Sequence, residues 1–129
     1  MELTIGEEFF INVSRNFDFL RQYNYDGNKF CCIGREIWVS FQNRQIQREV
    51  TVIMEEPFVL NVYFERKKLL TLSQSSIKFS LKDYYGQLGV KYLEKTNDVK
   101  TVAAFIKEHL ISIVKGEKWI DELLKHPLT

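Results

Sequence analysis

Period-two alternation dominates the middle of the chain. Ile37, Val39 and Phe41 alternate with Glu36, Trp38 and Ser40, and Val50, Val52 and Met54 alternate with Glu49, Thr51 and Ile53. Phe58, Leu60, Val62 and Phe64 alternate in turn with Val59, Asn61 and Tyr63. This spacing marks strands that turn one face to a core and the other to solvent. Gly34-Arg35 and Asn43-Arg44 have the composition of two-residue turns, and Glu55-Glu56-Pro57 that of a three-residue connection. Loop length fixes which residues face one another. These turns predict an apolar cross-strand row of Cys32, Ile37, Val50 and Val62, which should be buried. A second row, on the opposite face, would hold Cys31, Trp38, Glu49 and Tyr63. The expectation is a four-stranded antiparallel meander over residues 29–65.

A period of 3.6 takes over on either side. Thr4 and Glu7 have the spacing of a capping box, and Ile5, Phe9, Val13, Phe17, Leu20 and Tyr23 then recur as one helical stripe widened by Phe10. The basic run Arg66-Lys67-Lys68 breaks the strand pattern, and residues 69–79, rich in serine, read as a loop or a short irregular strand. Ser80 and Asp83 open a second helical segment carrying Leu81, Tyr84, Tyr85 and Leu88, with Gly89 as its stop. Residues 90–94 are a candidate fifth, edge strand. Residues 96–98 supply caps for a long helix with Val102, Ile106, Leu110 and Ile113 as its spine. Gly116 separates this from a last helix that carries Trp119, Ile120, Leu123 and Leu124 and stops before Pro127. The fold class is α+β, an antiparallel meander packed with an N-terminal helix and C-terminal helices.

With 129 residues the chain forms one domain that can bury a core without disulfides or metals. A net charge of +1 gives no bulk attraction to nucleic acid or to membranes. The sign is unevenly distributed: residues 1–64 carry 6 basic and 9 acidic side chains, residues 65–129 carry 12 and 8. Cys31 and Cys32 are adjacent, so in a strand they point to opposite faces, one thiol in the core and one at the surface of a reduced protein. Met1 is followed directly by Glu2, which reads as no signal peptide, and no apolar run reaches membrane-spanning length. The expected compartment is the cytoplasm.

Candidate chemistry is sparse. His126 follows Glu122 by four residues, the helical spacing of two metal ligands, yet two donors at a terminus make a poor site. His109 borders the apolar arc of its helix and reads as a packing residue. No H-E-x-x-H, paired C-x-x-C, phosphate-cradling glycine loop or G-x-S-x-G elbow occurs, and no cofactor is implied. Arg66, Lys67 and Lys68 with Tyr63, Tyr84 and Tyr85 could pair phosphates and stack bases, but Glu36, Glu49 and Glu65 on the sheet would repel a nucleic-acid backbone. Arg48 falls on the inward face between Val39 and Phe64, where it must reach an edge or meet a carboxylate.

The polar face of the meander is the feature with most functional content. Trp38 and Tyr63 flank Glu49 there, with Glu36, Ser40, Gln47, Asn61 and Glu65 around them, either an aromatic pair in a polar rim of the kind that anchors protein interfaces or a face that one of the C-terminal helices covers. The pieces FDFLRQYNY (17–25), VSFQNRQIQREVTVIMEEPFVLNVYF (39–64) and AAFIKEHLISIVKGEKWIDELL (103–124) together give a layout over most of the chain. That layout resembles small bacterial single-domain proteins of the polymorphic-toxin immunity type. The resemblance implies a non-enzymatic cytosolic protein that neutralises a toxin by surface occlusion, with no shared catalytic residues to carry over. The partner-binding residues read from the polar sheet face are Trp38, Tyr63, Glu49, Glu36 and Glu65, which would suit a partner, such as a toxin domain, with a basic site. Many nuclease-directed immunity proteins are strongly acidic and this chain is not, so the target class is open. A small enzyme or ligand-binding domain, with a pocket between sheet and helices, is the alternative.

Overall fold

Thr4 starts the first helix as its spacing predicts. Its hydroxyl accepts the Glu7 N–H at 3.1 Å while the Glu7 carboxylate accepts the Thr4 N–H at 3.3 Å. In the computed structural model, which describes residues 4–55, 59–70 and 73–125, helix α1 spans Ile5–Asn16 and buries Phe9 and Val13. The expected continuation to Tyr23 does not stay α-helical. At Phe17 the chain tightens into a 3-10 helix, Asp18–Tyr23. Three residues per turn bring Phe19 inward beside Phe17 and Leu20, which α-helical spacing would not do. Asn24, left-handed at φ 68°, ends the segment. Ile5, the first residue of the predicted stripe, is 66% exposed.

The sheet is a five-stranded antiparallel meander, β1 Asp26–Ile33, β2 Glu36–Asn43, β3 Arg48–Glu55, β4 Val59–Leu70 and β5 Ser73–Ser80, standing in chain order. The first hairpin has the predicted register, with Cys31 opposite Trp38 and Cys32 opposite Ile37. The second does not. Asn43 pairs with Arg48, so the loop holds residues 44–47 instead of two residues, and Ile37 lies opposite Met54, not Val50. The Asn43 side chain explains the longer loop: its oxygen accepts the Gln45 and Ile46 N–H groups at 3.0 and 3.3 Å, and its amide donates to the Tyr23 carbonyl at 2.7 Å. Across β3 and β4, Val50 faces Phe64 and Glu49 faces Glu65, a slip of two from the predicted pairing with Val62 and Tyr63. The predicted connection runs into residues 56–58, which lie outside the described residues; Glu55 itself belongs to β3. Both slips are even, so the residues that lie in the strands keep their predicted faces. Arg66 and Lys67 do not break the strand, because β4 continues through them to pair with β5.

Residues 90–94 are not a strand. Lys91–Lys95 forms a 3-10 turn that buries Leu93, and β5 takes the sheet edge instead. Asp98 caps helix α2, Val99–His109, its carboxylate accepting the Lys100 N–H at 3.2 Å. The predicted long helix breaks at Leu110, giving a separate α3, Ile111–Val114, and α4 follows at Ile120–Leu124. The break buries Leu110, Ile113 and Val114 together. The helices cover one sheet face, where Val39, Phe41, Val50, Val52, Val62 and Phe64 are almost wholly inaccessible. Cys32 and Ile37 share that face but are not buried with Val50 and Val62: Cys32 is exposed and Ile37 half-buried. β1 is the outer strand, so α1 overlaps it only in part. Both thiols are therefore exposed, contrary to the expectation of one in the core.

Arg48 keeps its inward face but its neighbours across the strands are Asn43 and Arg66, and its recorded hydrogen-bond partners are carbonyl oxygens instead of a carboxylate. It donates to Ile113 O at 2.9 Å, Lys118 O at 3.2 Å and Gly116 O at 3.5 Å, tying the sheet to the α3–α4 connection. Burial lowers its pKa, the Tyr25 phenol opposes that, and Arg66 adds to it. Arg48 and Arg66 both lie over the Trp119 ring, each 4.8 Å from its centroid.

Candidate functional site

The opposite sheet face is built by parity alone. Trp38 stands across from Ile53 and Ile53 from Asn61; Ser40 from Thr51 and Thr51 from Tyr63; Gln42 from Glu49, Glu49 from Glu65 and Glu65 from Lys78. Among the described residues no side chain of this face belongs to the helix-covered core, although Ile53 at its centre is itself buried. Glu36, Trp38, Glu49, Tyr63 and Glu65, the five residues expected from sequence, all line one concavity of about 230 Å³. The same wall includes Glu55 and Lys78, neither of which the sequence reading selected. Glu55 was expected in a turn, although it lies at even spacing from Thr51 and Ile53. Lys78 sat in the serine-rich segment whose strand character was not evident.

The corrected register rearranges the site. Trp38 and Tyr63 do not flank Glu49; they stand in the two middle rows, with Thr51 and Ile53 between them as a floor. Glu49 and Glu65 form the row toward the Arg48 end of β3, and Glu36 and Glu55 lie at the other end of their strands. Gln47 is not on this face but in the β2–β3 loop, left-handed at φ 53°. Asn61 is 4% exposed and serves the fold: its amide donates to Ser80 Oγ at 2.7 Å and Glu55 at 3.2 Å, and its oxygen accepts the Lys82 N–H at 3.1 Å.

Hydrogen bonds hold the remaining side chains in place. The Trp38 indole donates to Glu36 at 3.0 Å, and the Tyr63 hydroxyl donates to Glu55 at 3.1 Å. Ser40 and Thr51 share a hydrogen across 3.1 Å, and Glu49 accepts from Gln42 at 3.4 Å and from Thr51 at 3.5 Å. Burial pushes the Tyr63 phenol above its ordinary pKa, and Glu55 adds to the shift by its charge and its hydrogen bond. The Lys78 ammonium lies 4.9 Å from the Tyr63 ring centroid. Four carboxylates and one ammonium thus surround two oriented aromatic rings. That is the chemistry of a surface that receives cations.

Comparison with protein-family models, curated proteins and solved structures finds no match.

The other candidate chemistries do not converge. Arg66 lies over Trp119 on the core face, Tyr85 is buried and Tyr84 packs edge-on against Phe79, whereas Lys67 alternates onto the face of Tyr63, so this basic and aromatic set is divided between surfaces. Among the described residues no three His, Cys, Asp or Glu side chains gather as metal donors, and His126 lies outside them. His109 is exposed, its ring 5.3 Å from Phe105. No described helix is long and apolar enough to cross a membrane. A second concavity of about 350 Å³, between the α1 end and α2, is lined by Arg15, Lys100 and Lys107. It has the opposite sign to the sheet face.

Proposed function

We propose that the protein is a non-catalytic cytoplasmic binding protein whose acidic sheet face covers a basic surface of another protein, in the manner of an immunity protein occluding its toxin. The observation that carries this reading is the placement of Glu49 directly opposite Glu65 on an uncovered face. Like charges facing each other across two strands destabilise a sheet. The fold offsets this only in part, with Gln42 and Thr51 donating to Glu49 at 3.4 and 3.5 Å and Lys78 opposite Glu65, and a locally unfavourable pair of this kind suits a site kept for something outside the fold. The two aromatics supply anchors that bury much area at small entropic cost. The alternative, a pocket between sheet and helices, has little room, because that layer is filled by apolar side chains such as Phe17, Phe41, Leu88 and Ile106.

The test is calorimetric titration against the purified product of the adjacent gene. Trp38→Ala and Tyr63→Ala should each weaken the complex by ~2 kcal/mol, roughly thirtyfold, while leaving the thermal unfolding curve in place. Wild-type affinity in both variants would remove this face from the interface.

A further inference from the structure

The geometry points to one arginine side chain of the partner as the occupant of the concavity, an inference that rests on the binding-face reading above. Its volume of about 230 Å³ suits a single long side chain better than a strand or a helix. Glu49 and Glu65 are directly opposed in an antiparallel pair, which sets their Cα atoms only about 4.5–5.5 Å apart and places both carboxylates on the wall of the concavity. A guanidinium carries five donors in a planar fork and can bridge two such carboxylates at once. An ammonium is a point charge and gains less from the arrangement.

The aromatic walls fit the same group. Glu36 fixes the Trp38 indole through its N–H at 3.0 Å, leaving the ring as a preset stacking surface. Tyr63 already carries a cation on its face, the Lys78 ammonium at 4.9 Å, which shows that positive charge is accommodated there. On the opposite sheet face the protein stacks its own guanidiniums, Arg48 and Arg66, on an indole at 4.8 Å. Guanidinium on tryptophan is thus a packing mode this fold uses, and Trp38 offers a second indole on the uncovered face.

The chain has two tryptophans, so its indole ¹H–¹⁵N spectrum has two signals, assignable with Trp38→Phe. The wild-type protein is titrated with Nα-acetylarginine methylamide, its lysine counterpart and its uncharged citrulline counterpart. The Trp38 signal should move saturably with the arginine compound, bind the lysine compound about threefold more weakly and ignore citrulline, while the Trp119 signal stays fixed. Glu49→Gln combined with Glu65→Gln should weaken the arginine response by up to about tenfold. A motionless Trp38 signal, an equal response to citrulline, or an undiminished response in the double variant overturns the assignment. If the arginine compound is silent while partner binding still depends on Trp38, the arginine assignment fails alone and the binding face stands. If the arginine compound binds but Trp38→Ala leaves partner affinity unchanged, the cation site stands and the partner reading is what fails.

Discussion

Replacing Arg48 with methionine tests whether the half-buried guanidinium holds the sheet to the C-terminal helices. Two of its three hydrogen bonds, to Ile113 O at 2.9 Å and Lys118 O at 3.2 Å, are of good length; the third, to Gly116 O at 3.5 Å, is marginal. Hydrogen bonds to a charged group contribute about 1.5–3 kcal/mol each, less where solvent reaches them. Stacking on Trp119 adds about 0.5–1 kcal/mol. Against these stand the desolvation of the cation and its repulsion from Arg66, which the substitution removes. Methionine replaces the apolar stem with little change of volume. The net expectation for Arg48→Met is a loss of about 2–3 kcal/mol, which lowers the urea midpoint by roughly 1–2 M at an ordinary slope. Arg48→Lys keeps the charge but cannot fork between carbonyls of three residues, so it should lose most of the same stability. A midpoint within experimental error of wild type for Arg48→Met, or full stability for Arg48→Lys, would refute the bridge.

Gly116 adopts φ +82°, and a Cβ there would come within 3.0 Å of Ile46 Cδ1, so Gly116→Ala should cost about 1–2 kcal/mol in the same melts; a neutral result would exclude the left-handed conformation. The Tyr85 hydroxyl is buried without a partner, so Tyr85→Phe should stabilise by about 1 kcal/mol. Burial pushes the Tyr85 phenol up to about 12. The folded state therefore holds this proton longer than the unfolded chain, and its contribution is complete below about pH 10 and lost as pH rises from there toward the folded value. Melts across that window should show a shallower decline in the phenylalanine variant, and parallel curves would contradict the assignment. Glu49→Gln should raise stability by about 0.2–1 kcal/mol by relieving its repulsion with Glu65, whose own pairing with Lys78 is left intact, while weakening partner binding; an unchanged or lowered midpoint would show that the pair costs the fold nothing.

The faces of the sheet were legible because side-chain period is two and both register errors were even. Trp38, Glu49 and Tyr63 therefore reached the same surface although, beyond the Cys31–Trp38 pair, their predicted cross-strand partners were not the observed ones. The register itself depended on the Asn43 side chain and its bond to the Tyr23 carbonyl, a tertiary contact that no local pattern encodes. β5 was hard to see for a similar reason. A run with Ser73, Ser75 and Ser76 has weak strand character and takes its conformation from pairing with β4. Phe19 falls off an α-helical stripe and reaches the core only through the 3-10 turn. The partners of Arg48 lie 65 to 70 residues along the chain, beyond any spacing argument. Within the site, Glu55 is the last residue of β3 and adjoins the Glu56-Pro57 turn signal, and Lys78 belongs to β5, whose sequence has little strand character of its own.

The strands stand in the sheet in the order in which they are made, so the sheet is complete once Ser80 has been added. The side chains that close over its far half arrive last: Trp119, 4.9 Å from the Phe79 ring, and the α3–α4 carbonyls that Arg48 bonds. At usual elongation rates residues 81–124 take about 2–9 s to synthesise. Through that interval a finished template of β-strands carries Val50, Val62 and Phe64 without the C-terminal part of their cover, so the nascent chain exposes apolar sheet that the mature protein does not.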